Sequence, residues 1–202
     1  MICIIDYGVG NIGSIKNMIK KIGYESIVSS DFDVIMKADK LLLPGVGSYD
    51  YAIQKLKEME LFDLLDNEVL VKKKPILGIC LGMQLMTNGS DEGLEKGFSW
   101  IDAYVEKFEE SSLKIPHMGW NLIKIEKENE LSKDLYDENR FYFVHSFKVK
   151  CSDQKDVLFT TNYGNNFVSG FSKNNIYVVQ FHPEKSHKFG KRILENFCKI
   201  EV

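Results

Sequence analysis

The first half of the chain alternates short apolar runs with longer segments whose apolar residues recur at helical spacing. Ile2-Cys3-Ile4-Ile5 is an unbroken apolar run and reads as a strand covered on both faces. A turn rich in Gly and Asn follows, then a helical pattern from about Ser14 to Ile22. Ser26-Ile27-Val28 and Lys40-Leu41-Leu42-Leu43 read as the second and third strands. Helical patterns cover roughly Tyr49 to Val71, and Ile76-Leu77-Gly78-Ile79 reads as the fourth strand. Strands that alternate with helices imply an α/β fold with an open, mostly parallel sheet flanked by helices.

The second half is richer in strands. Ala103–Phe108, Leu122–Glu126, Arg140–His145, Leu158–Tyr163, Phe167–Phe171 and Ile176–Phe181 carry that pattern, and a last helix runs from about Lys188 to Lys199. The charged stretch Glu126–Asp137 reads as a solvated excursion with a helical turn. No Ser/Gly linker, repeat or low-complexity tract interrupts the chain. The expectation is one domain over residues 1–202, with an antiparallel portion added to the parallel sheet.

Composition narrows the function classes. A net charge of −3 gives no electrostatic reason to expect nucleic acid or an anionic membrane surface. No apolar run approaches a membrane span, and Met1-Ile2-Cys3-Ile4-Ile5-Asp6 lacks the basic lead and length of a secretory signal. Cys3, Cys80, Cys151 and Cys198 are scattered, with no Cys-x-x-Cys pair for zinc or redox work. Free thiols point to a reducing, cytoplasmic setting. Cys3 and Cys198 fall in apolar patterns and are expected in the core.

Cys80 is different. It ends an apolar run in Gly78-Ile79-Cys80-Leu81-Gly82, and a helix-compatible segment follows. That is the cysteine form of the nucleophile elbow, a sharp strand-to-helix turn that holds a nucleophile at the corner. The bracketing glycines suit a turn with no room for side chains, and a helix N-terminus favours thiolate. A thiol nucleophile needs a base, and the base needs orienting. Val178-Val179-Gln180-Phe181 reads as a strand that runs into His182-Pro183-Glu184. In extended backbone residues i and i+2 share a side, so His182 would take the thiol proton and Glu184 would fix the imidazole tautomer. Leu41-Leu42-Leu43 runs into Pro44-Gly45-Val46-Gly47. Acyl chemistry needs backbone N–H donors at the developing oxyanion, and the amides of Leu81 and Val46 are the candidates. Gln84 lies one helical turn past Cys80 and can face the same pocket, or it can sit on an exposed helix. His182, Glu184 and His187 match no standard zinc spacing, so no metal site is expected.

With these motifs in hand the chain resembles the class I, triad-type glutamine amidotransferases. Within them it is similar to the glutaminase subunits of imidazole glycerol phosphate synthase. The likeness runs the whole length, through Asp6-Tyr7-Gly8-Val9-Gly10-Asn11, Pro44-Gly45-Val46-Gly47, the Cys80 elbow, Pro116-His117-Met118-Gly119-Trp120-Asn121, Tyr142-Phe143-Val144-His145-Ser146 and Gln180 to Ser186. It implies a flavodoxin-like sheet and hydrolysis of glutamine to glutamate and ammonia without a cofactor. Gly45 and Gly47, Gln84, Glu92 of Ser90-Asp91-Glu92-Gly93, and the backbone of His145-Ser146-Phe147 are implied around the substrate. The implied partner is a (β/α)8-barrel cyclase subunit, in a heterodimer serving histidine biosynthesis. Asn11, Trp120, Asn121, Tyr142 and Lys185 match positions at that interface, although either aromatic could equally be core.

The chain departs from the family pattern at Asp102-Ala103, at Phe147 in place of a frequent tyrosine, and at Ser169-Gly170. None touches the proposed triad. They leave open a paralogous glutaminase that supplies ammonia to a nucleotide-linked or surface-polysaccharide sugar. A non-catalytic regulatory subunit is the reading from another class, and the presence of Cys80, His182 and Glu184 speaks against it. A peptide hydrolase on the same elbow would leave Gln84 and Glu92 without a role.

Overall fold

The computed structural model describes residues 1–108 and 113–201. Strands β1 (Ile2–Ile5), β2 (Ser26–Ser29), β3 (Lys40–Gly45) and β4 (Ile76–Cys80) alternate with helices α1 (Ile12–Lys21), α2 (Phe32–Lys37), α3 (Tyr49–Glu58) and α4 (Leu61–Asp66). Helix α5 (Leu81–Leu85) follows the elbow at once. Then come β5 (Ala103–Lys107), β6 (His117–Leu122), β7 (Lys124–Ile125), β8 (Arg140–His145), β9 (Phe147–Cys151), β10 (Val157–Tyr163), β11 (Asn165–Lys173), β12 (Ile176–Val179) and α6 (His187–Lys199).

The large sheet runs β2-β1-β3-β4-β12-β11-β10-β7, with β9 and β5 attached through β11. Its first five strands are mutually parallel. Their order is the doubly wound arrangement 2-1-3-4-5 in which sites form beyond the carboxyl ends of the strands. The remaining pairings are antiparallel. Strands β6 and β8 form a separate antiparallel pair.

Each parallel strand divides its side chains between two cores. Cys3 and Ile5 of β1, and Leu41 and Leu43 of β3, face one cluster with Ala52, Ile53 and Leu56 of α3 and Leu61 and Leu65 of α4. Ile2, Ile4 and Leu42 face the other, with Ile15 and Ile19 of α1 and Ile193, Leu194 and Phe197 of α6. This is the period-2 alternation of a sheet with both faces covered, and it explains why β1 and the Leu41–Leu43 run of β3 are apolar at every position, whereas the edge strand β2 keeps Ser26 and Ser29.

Several sequence expectations shift. The long helical pattern from Tyr49 to Val71 is broken at Glu60, whose φ of 55° turns the chain between α3 and α4, and it closes in a wide turn over Asn67–Val71. Helix α2 is an addition, and the carboxylate of Asp31 caps it by accepting from the Val34 amide at 3.0 Å. The strand expected at Leu122–Glu126 is two strands with different partners: β6 pairs with β8, and β7 pairs with β10. The excursion Glu126–Asp137 is not wholly solvated. Leu131 is fully buried, and Asn196 of α6 donates to the carbonyls of Leu131 and Lys133 at 3.0 and 2.6 Å.

Candidate active site

The elbow is built by close packing. Cys80 ends β4 with φ 56° and ψ −110°, a conformation that costs a non-glycine residue about 1–3 kcal/mol. Its neighbours hold it there. A Cβ on Gly82 would stand 1.9 Å from the Leu43 carbonyl oxygen, and one on Gly78 would stand 2.9 Å from the Gly82 carbonyl oxygen. The two glycines therefore let α5 press against β3 and β4. Helix α5 itself is only five residues long, so the field it adds at the thiol is small.

Registers set the neighbours of the thiol. Gly45 pairs with Cys80 on one side, and Val179 pairs with Ile79 on the other. Val46 and Leu81 are thus the first residues past adjacent strand ends. Gln180 stands beside Cys80, its Nε2 donating to Sγ at 3.7 Å while its Oε1 accepts from Gln84 Nε2 at 3.1 Å. Two residues farther on, His182 Nδ1 lies 2.9 Å from Glu184 Oε1, and both side chains are buried. His182 Nε2 has no hydrogen-bond partner of ordinary geometry among the described residues. Burial pulls the His182 pKa down, but its interactions with Cys80 and the Glu184 carboxylate outweigh that and raise it to about 10. The thiol of Cys80 faces the Val144 carbonyl at 4.0 Å.

A cavity of about 310 Å³ collects these groups. Val46, Gly47, Cys80, Leu81, Gln84 and Glu92 line it together with His182 and with Val144 through Phe147. Gln84 is buried and Glu92 stands at the rim, where its carboxylate accepts from the Tyr49 amide at 3.2 Å. Burial raises the Glu92 pKa, and that hydrogen bond opposes the rise. Gly45 does not line the cavity. It packs under the elbow, where a Cβ would meet Leu81 Cβ and Tyr7 Oη at 2.8 Å.

The residues expected at an interface separate. Trp120 of β6 is exposed, lies parallel to the ring of His187 at 5.5 Å, and pairs with Tyr142 of β8. Lys185 Nζ sits 5.7 Å above the Tyr142 ring. With Met118 and Leu122 on the same side of β6, these make an outward apolar face beside the cavity. Asn121 points the other way, inward to His117. Asn11 stands at the start of α1, its carbonyl accepting from Ile15.

Two residues near the chemistry escape the sequence reading. Gln180 is one: it sits in the bend just past the end of β12 at Val179, where no strand alternation fixes the direction of its side chain. Tyr7 is the other. Its buried hydroxyl donates to the Pro44 carbonyl at 2.6 Å and fixes the loop that carries Val46. Burial, with the nearby Cys80 charge, drives the Tyr7 pKa far up, so the phenol stays a donor. Ser186 has a similar tying role, accepting from the Tyr142 amide at 2.9 Å and donating to the His182 carbonyl at 2.6 Å.

The family described as glutamine amidotransferase class-I matches residues 3–200. The chain belongs to that family. Among relatives of this glutamine amidotransferase, imidazole glycerol phosphate synthase subunit HisH 2 of Methanococcus maripaludis is 57% identical across 98% of this chain and 99% of its own length. The subunit HisH 2 of Pseudomonas aeruginosa is 43% identical across 99% and 100%. Subunit HisH 1 of Campylobacter jejuni is 47% identical, again across 99% and 100%. Among solved structures, a glutamine amidotransferase crystal structure superposes with a TM-score of 0.76 at 15% identity, over 98% of this chain and 97% of that one. PurLQS from Thermotoga maritima does so with 0.74 at 16%, over 98% and 96%. Those two likenesses are of fold. No helix among the described residues is long and apolar enough to cross a membrane.

Proposed function

We propose that this glutamine amidotransferase is the glutaminase subunit of an imidazole glycerol phosphate synthase, acting as one domain in the cytoplasm. The observation that carries the chemistry is the meeting of Cys80, the His182–Glu184 pair and two strand-end amides in one cavity. Cys80 attacks the side-chain carbonyl carbon of glutamine. The amides of Leu81 and Val46 receive the oxyanion. His182 gives its proton to the departing ammonia, and a glutamyl thioester remains. Water then attacks that thioester with His182 as base, which releases glutamate and restores the thiol. Gln84, Glu92 and the Ser146–Phe147 wall, with Gly47 at the mouth, hold the amino-acid end of the substrate.

Ammonia released into water is protonated and loses its nucleophilicity, so the reaction is useful only beside an acceptor. The outward face of Met118, Trp120 and Leu122, with Tyr142 and Lys185, lies next to the cavity and is the surface we assign to the (β/α)8-barrel cyclase subunit. The relatives support the histidine-pathway acceptor by name. The same names carry copy numbers, so a duplicate subunit is compatible with them, and a duplicate that serves a sugar acceptor is the second reading.

Glutamate release by the purified chain, alone and with the cyclase subunit of the same organism plus its nucleotide ligand, tests both readings. Strong stimulation by the loaded cyclase is expected. Glutaminase activity without any stimulation would move the acceptor to a sugar, and no activity in either setting would remove the glutaminase reading.

A further inference from the structure

The stretch Pro116 to Asn121 has no part in the reaction steps above, yet two of its side chains turn inward. Strands β6 and β8 pair with His117 opposite His145. His117 Nδ1 lies 2.9 Å from His145 Nε2, and His145 Nδ1 lies 2.7 Å from the Phe147 carbonyl oxygen. At the other end Asn121 Nδ2 lies 3.2 Å from His117 Nε2. Phe147 and Ser146 line the cavity of Cys80.

The two ends of this series fix every proton in it. A carbonyl oxygen only accepts, so His145 Nδ1 carries the hydrogen and His145 Nε2 presents a lone pair. That lone pair requires a donor, so His117 is protonated on Nδ1 and its Nε2 accepts. The last donor is the Asn121 amide nitrogen, which cannot exchange places with its oxygen. Asn121 Oδ1 accepts from the Leu122 amide at 2.8 Å, and Nδ2 also donates to the Asn162 carbonyl at 2.9 Å. All the hydrogen bonds therefore point from Asn121 toward Phe147, and both rings are neutral Nδ1–H tautomers. A proton added to either ring would set donor against donor at one junction.

The surroundings act in the same sense. His117 stacks between Phe143 and Tyr163 at centroid distances of 4.8 and 4.1 Å. His145 packs near Phe108 and Phe167 at 5.4 and 5.2 Å. Burial among these rings lowers the pKa of His117 to about 4 and that of His145 to about 3.

We propose that His117 and His145 are positioning residues: with Asn121 they form a one-directional neutral relay that holds the Ser146–Phe147 wall of the substrate pocket. Neither touches the reacting atoms. His145 fixes the Phe147 carbonyl, and with it the direction of the neighbouring peptide groups that face the substrate. His117 fixes His145 by denying it the other tautomer. The inference rests on the glutaminase reading only for the identity of the substrate, because the relay itself is defined by the protein's own atoms.

Nitrogen-15 NMR of the histidine-labelled chain tests the relay directly. Long-range nitrogen–proton correlations should assign two of the four histidines to the neutral Nδ1–H form at pH 6 to 8, and these signals should be the ones lost in His117→Phe and His145→Phe. An Nε2–H or imidazolium signal from either residue overturns the proposal, whatever the enzyme's activity. Kinetics on the complex with the cyclase provide the functional arm. Loss of one hydrogen bond in the wall should raise KM for glutamine by up to about tenfold in His117→Phe, with kcat nearly unchanged. His117→Asn, whose amide nitrogen reaches the place of Nδ1, should restore most of the loss. Equal KM in wild type and both Phe variants would also overturn it. A wild-type complex that releases no glutamate would defeat the glutaminase reading and leave the NMR result to judge the relay.

Discussion

In the parallel half of the sheet, apolar side chains turn to helices on both faces and the backbone around them is packed to contact. In β6 the arrangement is inverted: Met118, Trp120 and Leu122 face outward, while His117 is buried against His145 of β8, beside the core residues Phe141 and Phe143. The first region holds Cys80, the proposed nucleophile, in a conformation it would not adopt alone. The second turns an apolar surface outward, the face proposed for the cyclase, and spends its buried hydrogen bonds on the pocket wall. One half is shaped by shape complementarity and the other by directed polar contacts, so the two should respond to different kinds of change.

The largest effect belongs to the packed half. Cys80→Ala should abolish glutamate release while the partner still works with added ammonium salts, as measured by product formation from each nitrogen source. Equal loss with both sources would show that the substitution damages docking or folding instead. Next, glycines should separate the two regions. Gly82→Ala drives a Cβ into the Leu43 carbonyl and should cost about 3 kcal/mol in chemical denaturation. Gly119→Ala in β6 meets no atom within 4 Å and pays only for its φ of 138°, a conformation that essentially only glycine adopts, about 2 kcal/mol. Similar costs at both sites would break the distinction.

Glu184→Gln should leave the fold intact and slow turnover by about 100-fold or more. The sign of its pH effect is fixed. The carboxylate favours the charged ring of His182, whose pKa of about 10 lies above its ordinary value, and the charged form is lost as pH rises through it. Without the carboxylate that loss comes at lower pH, so the alkaline limb of kcat/KM should move toward neutrality. A limb that stays in place would take Glu184 out of the mechanism. The smallest effect is expected at Gln180→Leu. It removes one neutral donor from the thiol and should slow alkylation of Cys80 by up to about tenfold, read as the rate of labelling at pH 7.

Most of the packed half is legible in the sequence, because a strand covered on both faces must be apolar at every position. Ile2–Ile5 and Ile76–Ile79 could be placed on that ground alone. His182 and Glu184 do meet, 2.9 Å apart, but through a turn: β12 ends at Val179 and Pro183–Lys185 winds as a 3-10 turn, where alternation presumes extended backbone. The inverted pair is where the reading slips. Strand β6 has polar side chains inside and apolar ones outside, so its period-2 pattern gives no sign of which face is the core, and the expected strand fell several residues late. Strand β9 follows β8 with only Ser146 between them and no turn residue to mark the break. The inward Asn121 follows from the same inversion, since its neighbours Trp120 and Leu122 take the outer face.

The unequal treatment of the four cysteines has an experimental use. Burial pushes Cys3 up to about 11, and Cys151 and Cys198 up to about 12, whereas Cys80 opens on the cavity that it shares with His182. Toward a mild thiol reagent at neutral pH the native chain should therefore behave as if it carried a single sulfur. A fully folded preparation should consume one equivalent before denaturation, chains already unfolded should raise that number because all four of their thiols react, and the rise on denaturation should be proportional to the share that had been folded.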